Sequence, residues 1–84
     1  MGDDKPDPFA VIAGLIANAI QTARVFGENR RISNLVAGSV ARFMADMDDG
    51  DALVTHALGC IDAEDAGHVP ALKASLLSLS AGRA

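Results

Sequence analysis

Apolar residues dominate the stretch FAVIAGLIANAIQTARVF, residues 9–26, in which Asn18, Gln21, Thr22 and Arg24 are the clearly polar positions. At about 100° per residue, Phe9, Ile12, Ile16, Ala19, Ala23 and Phe26 fall in one stripe. Val11, Leu15 and Val25 make a second row, interrupted by Asn18 and Thr22. A helix apolar on nearly all sides must be buried on nearly all sides or sit in a membrane. The pattern predicts a first helix over residues 8–26 that needs two partner surfaces. Asp7-Pro8 supplies its start, an N-cap acceptor followed by proline at the first helical position. Gly27 supplies its stop, because glycine enters the left-handed conformation that closes a helix.

Three more helical patterns follow. Asn29 caps a second helix over residues 30–47, with Ile32, Leu35, Val36, Val40, Phe43 and Met47 on its apolar face. A row of Ser33, Ala37, Ala41 and Ala45 at four-residue spacing invites close helix packing. The short link makes helices 1 and 2 an antiparallel hairpin. An acidic turn, residues 46–51, leads to a third helix over residues 52–61, with Gly50 lending backbone freedom and Asp51 as cap. Leu53, Val54, Ala57, Leu58 and Ile61 are its apolar positions. After a second acidic connection, residues 62–67, Pro70 opens a fourth helix over residues 70–81. Val69, Leu72, Leu76 and Leu79 recur there at helical spacing, with Leu77 and Ala74 widening the face. No strand-like alternation occurs. The expectation is an all-α bundle of three to four helices forming a single domain over residues 8–81. A disordered lead over residues 1–7 and a tail over residues 82–84 flank it.

Composition sharpens this picture. Half of the 84 residues are hydrophobic and three are aromatic. So short a chain buries little surface for its length, and oligomerisation is the usual remedy. The expectation is a homo-oligomer, dimer or tetramer, whose interface holds Ile12, Leu15, Ile16 and Ile20 together with Ala37, Ala41 and Ala45. The single Cys60 excludes an intrachain disulfide, and with no targeting pattern a cytoplasmic location is expected. A membrane-spanning first helix, as in a holin-like protein, is the weaker alternative. Its length is at the short edge of a span, and Asn18, Gln21 and Arg24 lie within it.

The net charge of −4 is unevenly spread. Residues 1–43 hold five Lys/Arg against four Asp/Glu; residues 44–84 hold two against seven. Basic and acidic patches can meet between subunits or with a partner. Arg30 and Arg31 at the start of the second helix, and Asp48 and Asp49 in the acidic turn, are the candidate partner-binding residues.

Candidate chemistry adds little. No frame of the acidic turn carries calcium ligands at the required positions: starting at Asp46, position five is Gly50 and position twelve is Ala57. His56 and Cys60 are four apart and share a face, with Asp65 or His68 as neighbours in reach, but one pair makes neither a metal site nor a nucleophilic dyad. Neither cofactor nor metal is expected, and no catalytic residue is assigned. Arg24, Arg30, Arg31 and Arg42 make a case for a small DNA-binding accessory protein, against which stand the acidic balance and the missing aromatic platforms. The favoured expectation is a non-enzymatic helical module, an adaptor or regulator, that self-associates and binds a protein partner.

Overall fold

The computed structural model describes residues 7–64 and 66–81. The chain forms α1 (Pro8–Phe26), α2 (Arg30–Ala45), α3 (Gly50–Glu64) and α4 (Pro70–Ala81), with a 3-10 turn at Ala66–His68 before α4. No strand occurs among the described residues. Apart from Asp7, the expected lead lies outside the described residues, as does the tail.

The first two helices start as local chemistry dictates. The Asp7 carboxylate accepts the Phe9 N–H at 3.0 Å, and Pro8 needs no partner. The Asn29 side-chain oxygen accepts the N–H groups of Arg31 and Ile32 at 2.9 and 3.2 Å. Gly27 ends α1 with its N–H donated to the Ala23 carbonyl, at φ 87° and ψ 164°. That conformation is extended rather than left-handed helical, and it is open essentially to glycine alone.

Two boundaries depart from expectation. α2 stops at Ala45, not residue 47. The Asp46 N–H bonds back to Phe43 and Met44 in a tightened last turn, and the acids that follow oppose the negative end of the helix dipole. α3 is longer than expected at both ends. It opens at Gly50, so Asp51 lies within the first turn rather than before it. Gly50 keeps a negative φ, and its role is space: a Cβ there would stand 3.2 Å from the Cβ and carbonyl oxygen of Met44. At the other end, Asp62, Ala63 and Glu64 continue the helix although carboxylates are unfavourable at that pole. Cations from other helices compensate them. Lys73 Nζ meets Asp62 at 3.1 Å, and Arg24 donates to the Glu64 carbonyl at 3.2 Å with its carboxylate 3.7 Å away.

All four helices contribute to one core. α1 supplies Ile12, Ile16, Ala19, Ile20 and Ala23; α2 supplies Val36, Val40 and Met44; α3 supplies Leu53, Val54, Ala57 and Ile61; Val69, Leu72 and Leu76 complete it. α1 lies against α2 and α3, and α4 packs against the same two helices. The molecule measures 39 × 34 × 22 Å, and its thin dimension is about two helix diameters. In so flat a body every helix keeps one face toward solvent.

The expected interface residues are redistributed accordingly. Ile12, Ile16 and Ile20 are fully covered by the chain's own α2 and α3, out of reach of a second folded copy. Leu15 is half-buried against the same core, and so is Ala37. Ala41 is half-buried and Ala45 exposed. α2 is also rotated from its expected apolar face. Ser33 is buried while Leu35 is 65% exposed, and Ile32, Phe43 and Met47 are half-buried. The reason lies in the connection before it.

Candidate functional site

Glu28 sits in that connection and ties three elements together. Its carboxylate accepts the Ser33 hydroxyl at 2.6 Å, the Ala71 N–H at 2.9 Å and the Leu72 N–H at 3.0 Å. The residue before α4 is Val69, which has no side-chain acceptor, and Pro70 has no N–H to give. The next two amides of α4 are therefore orphan donors, which a helix N-terminus must satisfy somehow. Glu28 satisfies both from 43 and 44 residues away. Ser33 is drawn inward as the third donor, which turns α2. Burial works to raise the Glu28 pKa. The hydrogen bonds from Ser33, Ala71 and Leu72 and the positive charge of Arg30 outweigh it and hold the carboxyl below the ordinary glutamate value. This node is structural: all three hydrogen bonds it accepts come from the chain itself.

The outward face of α2 is different in kind. Arg31, Asn34, Leu35, Gly38, Arg42 and Ala45 are all exposed. Their spacing of three or four residues places them along one side of the helix. A furrow of about 230 Å³ runs there, lined by Asn34, Leu35, Gly38, Ser39 and Arg42. A second, of about 320 Å³, lies between Arg30, Asn34, Ala71, Ala74 and Ser75, so Asn34 borders both. α2 contains three arginines and no carboxylate. Arg30 and Arg31 occupy its first turn, beside the positive pole of the helix dipole, and Asp46, Asp48 and Asp49 follow its negative pole. Arg30, Arg31 and the three acids are thus charged against the dipole, each disfavouring an isolated helix by a few tenths of a kcal/mol, about 0.3 or more, whereas Arg42 in the last turn suits it. None of Arg31, Arg42, Asp46, Asp48 and Asp49 takes part in an ion pair among the described residues.

The four arginines singled out in the sequence are spread over two helices. Arg24 is engaged at the end of α3, while Arg30 and Arg42 stand twelve residues apart on α2, about 18 Å along its axis. Asp48 and Asp49 are exposed in the turn that follows α2.

The outward strip of α1 offers a third surface. Ala10, Gly14, Ala17, Asn18 and Gln21 are exposed, and α1 has no charged residue before Arg24. Val25 and Phe26 just beyond are 73% and 83% exposed. By length and composition α1 could cross a membrane, with mean hydropathy 1.5 over an 18-residue window. A core helix of a soluble protein meets the same criterion, and five of its residues are core here.

His56 and Cys60 do share a face of α3, with Nε2 and Sγ 3.7 Å apart. The Phe9 ring meets the His56 imidazole edge-on, centroids 5.2 Å apart. Among the described residues no three His, Cys, Asp or Glu side chains gather closely enough to hold a metal ion; Asp65, one of the neighbours considered, lies outside them.

No family model, no curated protein and no solved structure matches this chain.

Proposed function

We infer that the protein is a non-enzymatic helical interaction module that self-associates and presents a further surface to a protein partner, in the role of an adaptor or regulator. The observation that carries this reading is surface left over after folding: the solvent face of α1 is uncharged from Pro8 to Ala23 and ends in exposed Val25 and Phe26. The centres of protein interfaces are depleted of charge in just this way. In this reading α1 and α2 lie as an antiparallel hairpin, as a link of three residues favours. Sedimentation equilibrium across the micromolar range tests it. A dimer or tetramer supports the module; a monomer at every concentration overturns its self-association.

A second reading is a small DNA-binding accessory protein, favoured by one observation: α2 carries Arg30, Arg31, Arg42 and Asn34 with no carboxylate along its length. Phosphate contacts of that kind weaken steeply with salt. A salt-sensitive gel shift of duplex DNA, lost when Arg30 and Arg31 become alanine, supports it; no shift at low salt ends it. A holin-like membrane role requires α1 to leave the core, and purification without detergent contradicts it.

A further inference from the structure

The geometry points to a specific surface for that self-association: the outward face of α2 pairs antiparallel with the same face of a second copy, about a two-fold axis near Gly38. The inference rests on the self-association reading and narrows it to one helix. It leaves the strip of α1 free for the protein partner.

Charge complementarity selects a second copy as the occupant. α2 is cationic at its N-terminal end, where Arg30 and Arg31 stand, and is followed by Asp46, Asp48 and Asp49 at the other. A parallel copy would set like charges together. An antiparallel copy sets Arg30 and Arg31 of each chain beside the acids of the other, and does so twice by symmetry. It also aligns the two helix dipoles head to tail, so charges that oppose their own helix suit the neighbouring one. Arg31 and Asp46 are separated by fifteen residues, about 22 Å along the helix, and Gly38 lies at the midpoint of the stretch from Arg30 to Asp46. Antiparallel pairing centred on Gly38 therefore brings residue 30 opposite residue 46 and residue 34 opposite residue 42. Asn34 then meets Arg42, which can donate to its side-chain carbonyl.

The middle of the face suits close contact. Leu35 is 65% exposed, a large apolar side chain left mostly uncovered among the described residues. In the antiparallel register it falls opposite Ala41, whose small side chain leaves room. A Cβ at Gly38 would meet nothing within 4 Å, so the fold of the single chain gives no steric reason for glycine there. Glycine within a helix is less favourable than alanine, and at the crossing point of two helices it permits the backbones to approach.

The test is a charge exchange read by sedimentation equilibrium of the full chain. Arg31→Glu and Asp46→Lys are both exposed positions, and each change puts the charge that suits the helix dipole at its end, so both variants are expected to fold. Circular dichroism checks that they do. Each variant alone sets like charges together in two symmetric places, and its dissociation constant is expected to rise about tenfold. Mixed one to one, the two variants regain opposite charges at both places, and a heterodimer of near wild-type affinity is expected. A wild-type dimer that neither change weakens overturns the α2 pairing while leaving self-association through another face. Weakening without recovery in the mixture overturns the antiparallel arrangement. A wild type that stays monomeric overturns both readings. If it is instead monomeric and shifts duplex DNA in a manner Arg31→Glu abolishes, the face belongs to nucleic acid.

Discussion

α1 and α2 are adjacent helices of similar length that divide their surfaces in opposite ways. α1 turns its isoleucines inward and leaves a solvent face without charge as far as Arg24. α2 turns a serine inward with Val36, Val40 and Met44, and leaves outward Leu35 flanked by arginines. Hydropathy marks α1 as the element most in need of cover, and the cover comes from the chain's own α2 and α3. Charge marks α2, which begins with Arg30 and Arg31 and is followed by acids, charges unsuited to the helix that bears them. The difference separates two questions. Hydropathy says how much surface an element must hide; the placement of charge says what kind of neighbour could hide the rest.

The comparison breaks most easily on the inner face of α1. Ile16 is fully covered, and Ile16→Ala is expected to destabilise the fold by about 3 kcal/mol, through lost burial and the cavity left behind. Gln21→Ala on the outward strip of the same helix is expected to change stability by less than about 0.5 kcal/mol. Urea denaturation of both variants measures the contrast. Equal effects would mean that α1 does not have a covered and an uncovered side.

Next in size is Glu28, which sets the rotation of α2. Glu28→Ala removes the acceptor for Ser33, Ala71 and Leu72 and is expected to cost about 2 kcal/mol, as the loss of a strong cap does. The same group sets a pH dependence. Its folded-state pKa lies below its ordinary value, so its stabilising contribution is present above the ordinary glutamate range. That contribution is lost as pH falls from that range through the lowered value. Thermal melts on the acid side should show the wild type losing more stability than Glu28→Gln, whose amide does not titrate. Parallel acid profiles for the two would remove Glu28 from the account.

The smallest effects concern two glycines. Gly14 on α1 and Gly38 on α2 each have open space where a Cβ would stand. In dilute solution Gly14→Ala and Gly38→Ala are each expected to gain up to about 1 kcal/mol from helix propensity. At concentrations where the chain associates, the gain at Gly38 should shrink, because a methyl group there keeps two backbones apart; the gain at Gly14 should persist. Melting temperatures across a concentration series distinguish them. Equal gains at every concentration would remove Gly38 from the self-associating face; a gain that shrinks at Gly14 instead would move that face to α1.

Much of the fold was legible where local chemistry decides it. Proline and glycine punctuation located α1 and α4 to the residue, and Asp7 and Asn29 announced their own capping bonds. The core positions of α3 and α4 also followed from helical spacing, with Leu58 and Leu79 half-buried, but Leu77 and Ala74, expected to widen the face of α4, are exposed. Apart from the early stop of α2 and the early start of α3, the misses came where a distant residue decides. α3 runs on through Asp62 and Glu64 because Lys73 and Arg24 reach them from other helices. Pro70 announced only the opening of α4; that Val69 leaves it without a cap of its own was not drawn, and nothing local named Glu28 as the supplier. Without that bond Ser33 reads as one more small residue in a row, and the face of α2 is misjudged. The candidate surface was legible in part: Arg30, Arg31, Asp48 and Asp49 stood out as charged positions, whereas exposed Leu35 was hidden inside an expected apolar face.

Disulfide trapping tests the pairing of α2 most directly. In a Cys60→Ser background, Gly38→Cys places a lone thiol at the proposed two-fold axis, and Ala17→Cys places one on the exposed strip of α1. Under mild diamide oxidation at micromolar concentration, Gly38→Cys is expected to form a reducible dimer while Ala17→Cys stays a monomer. A Gly38→Cys chain that remains monomeric, or an Ala17→Cys chain that is trapped in its place, would contradict the account.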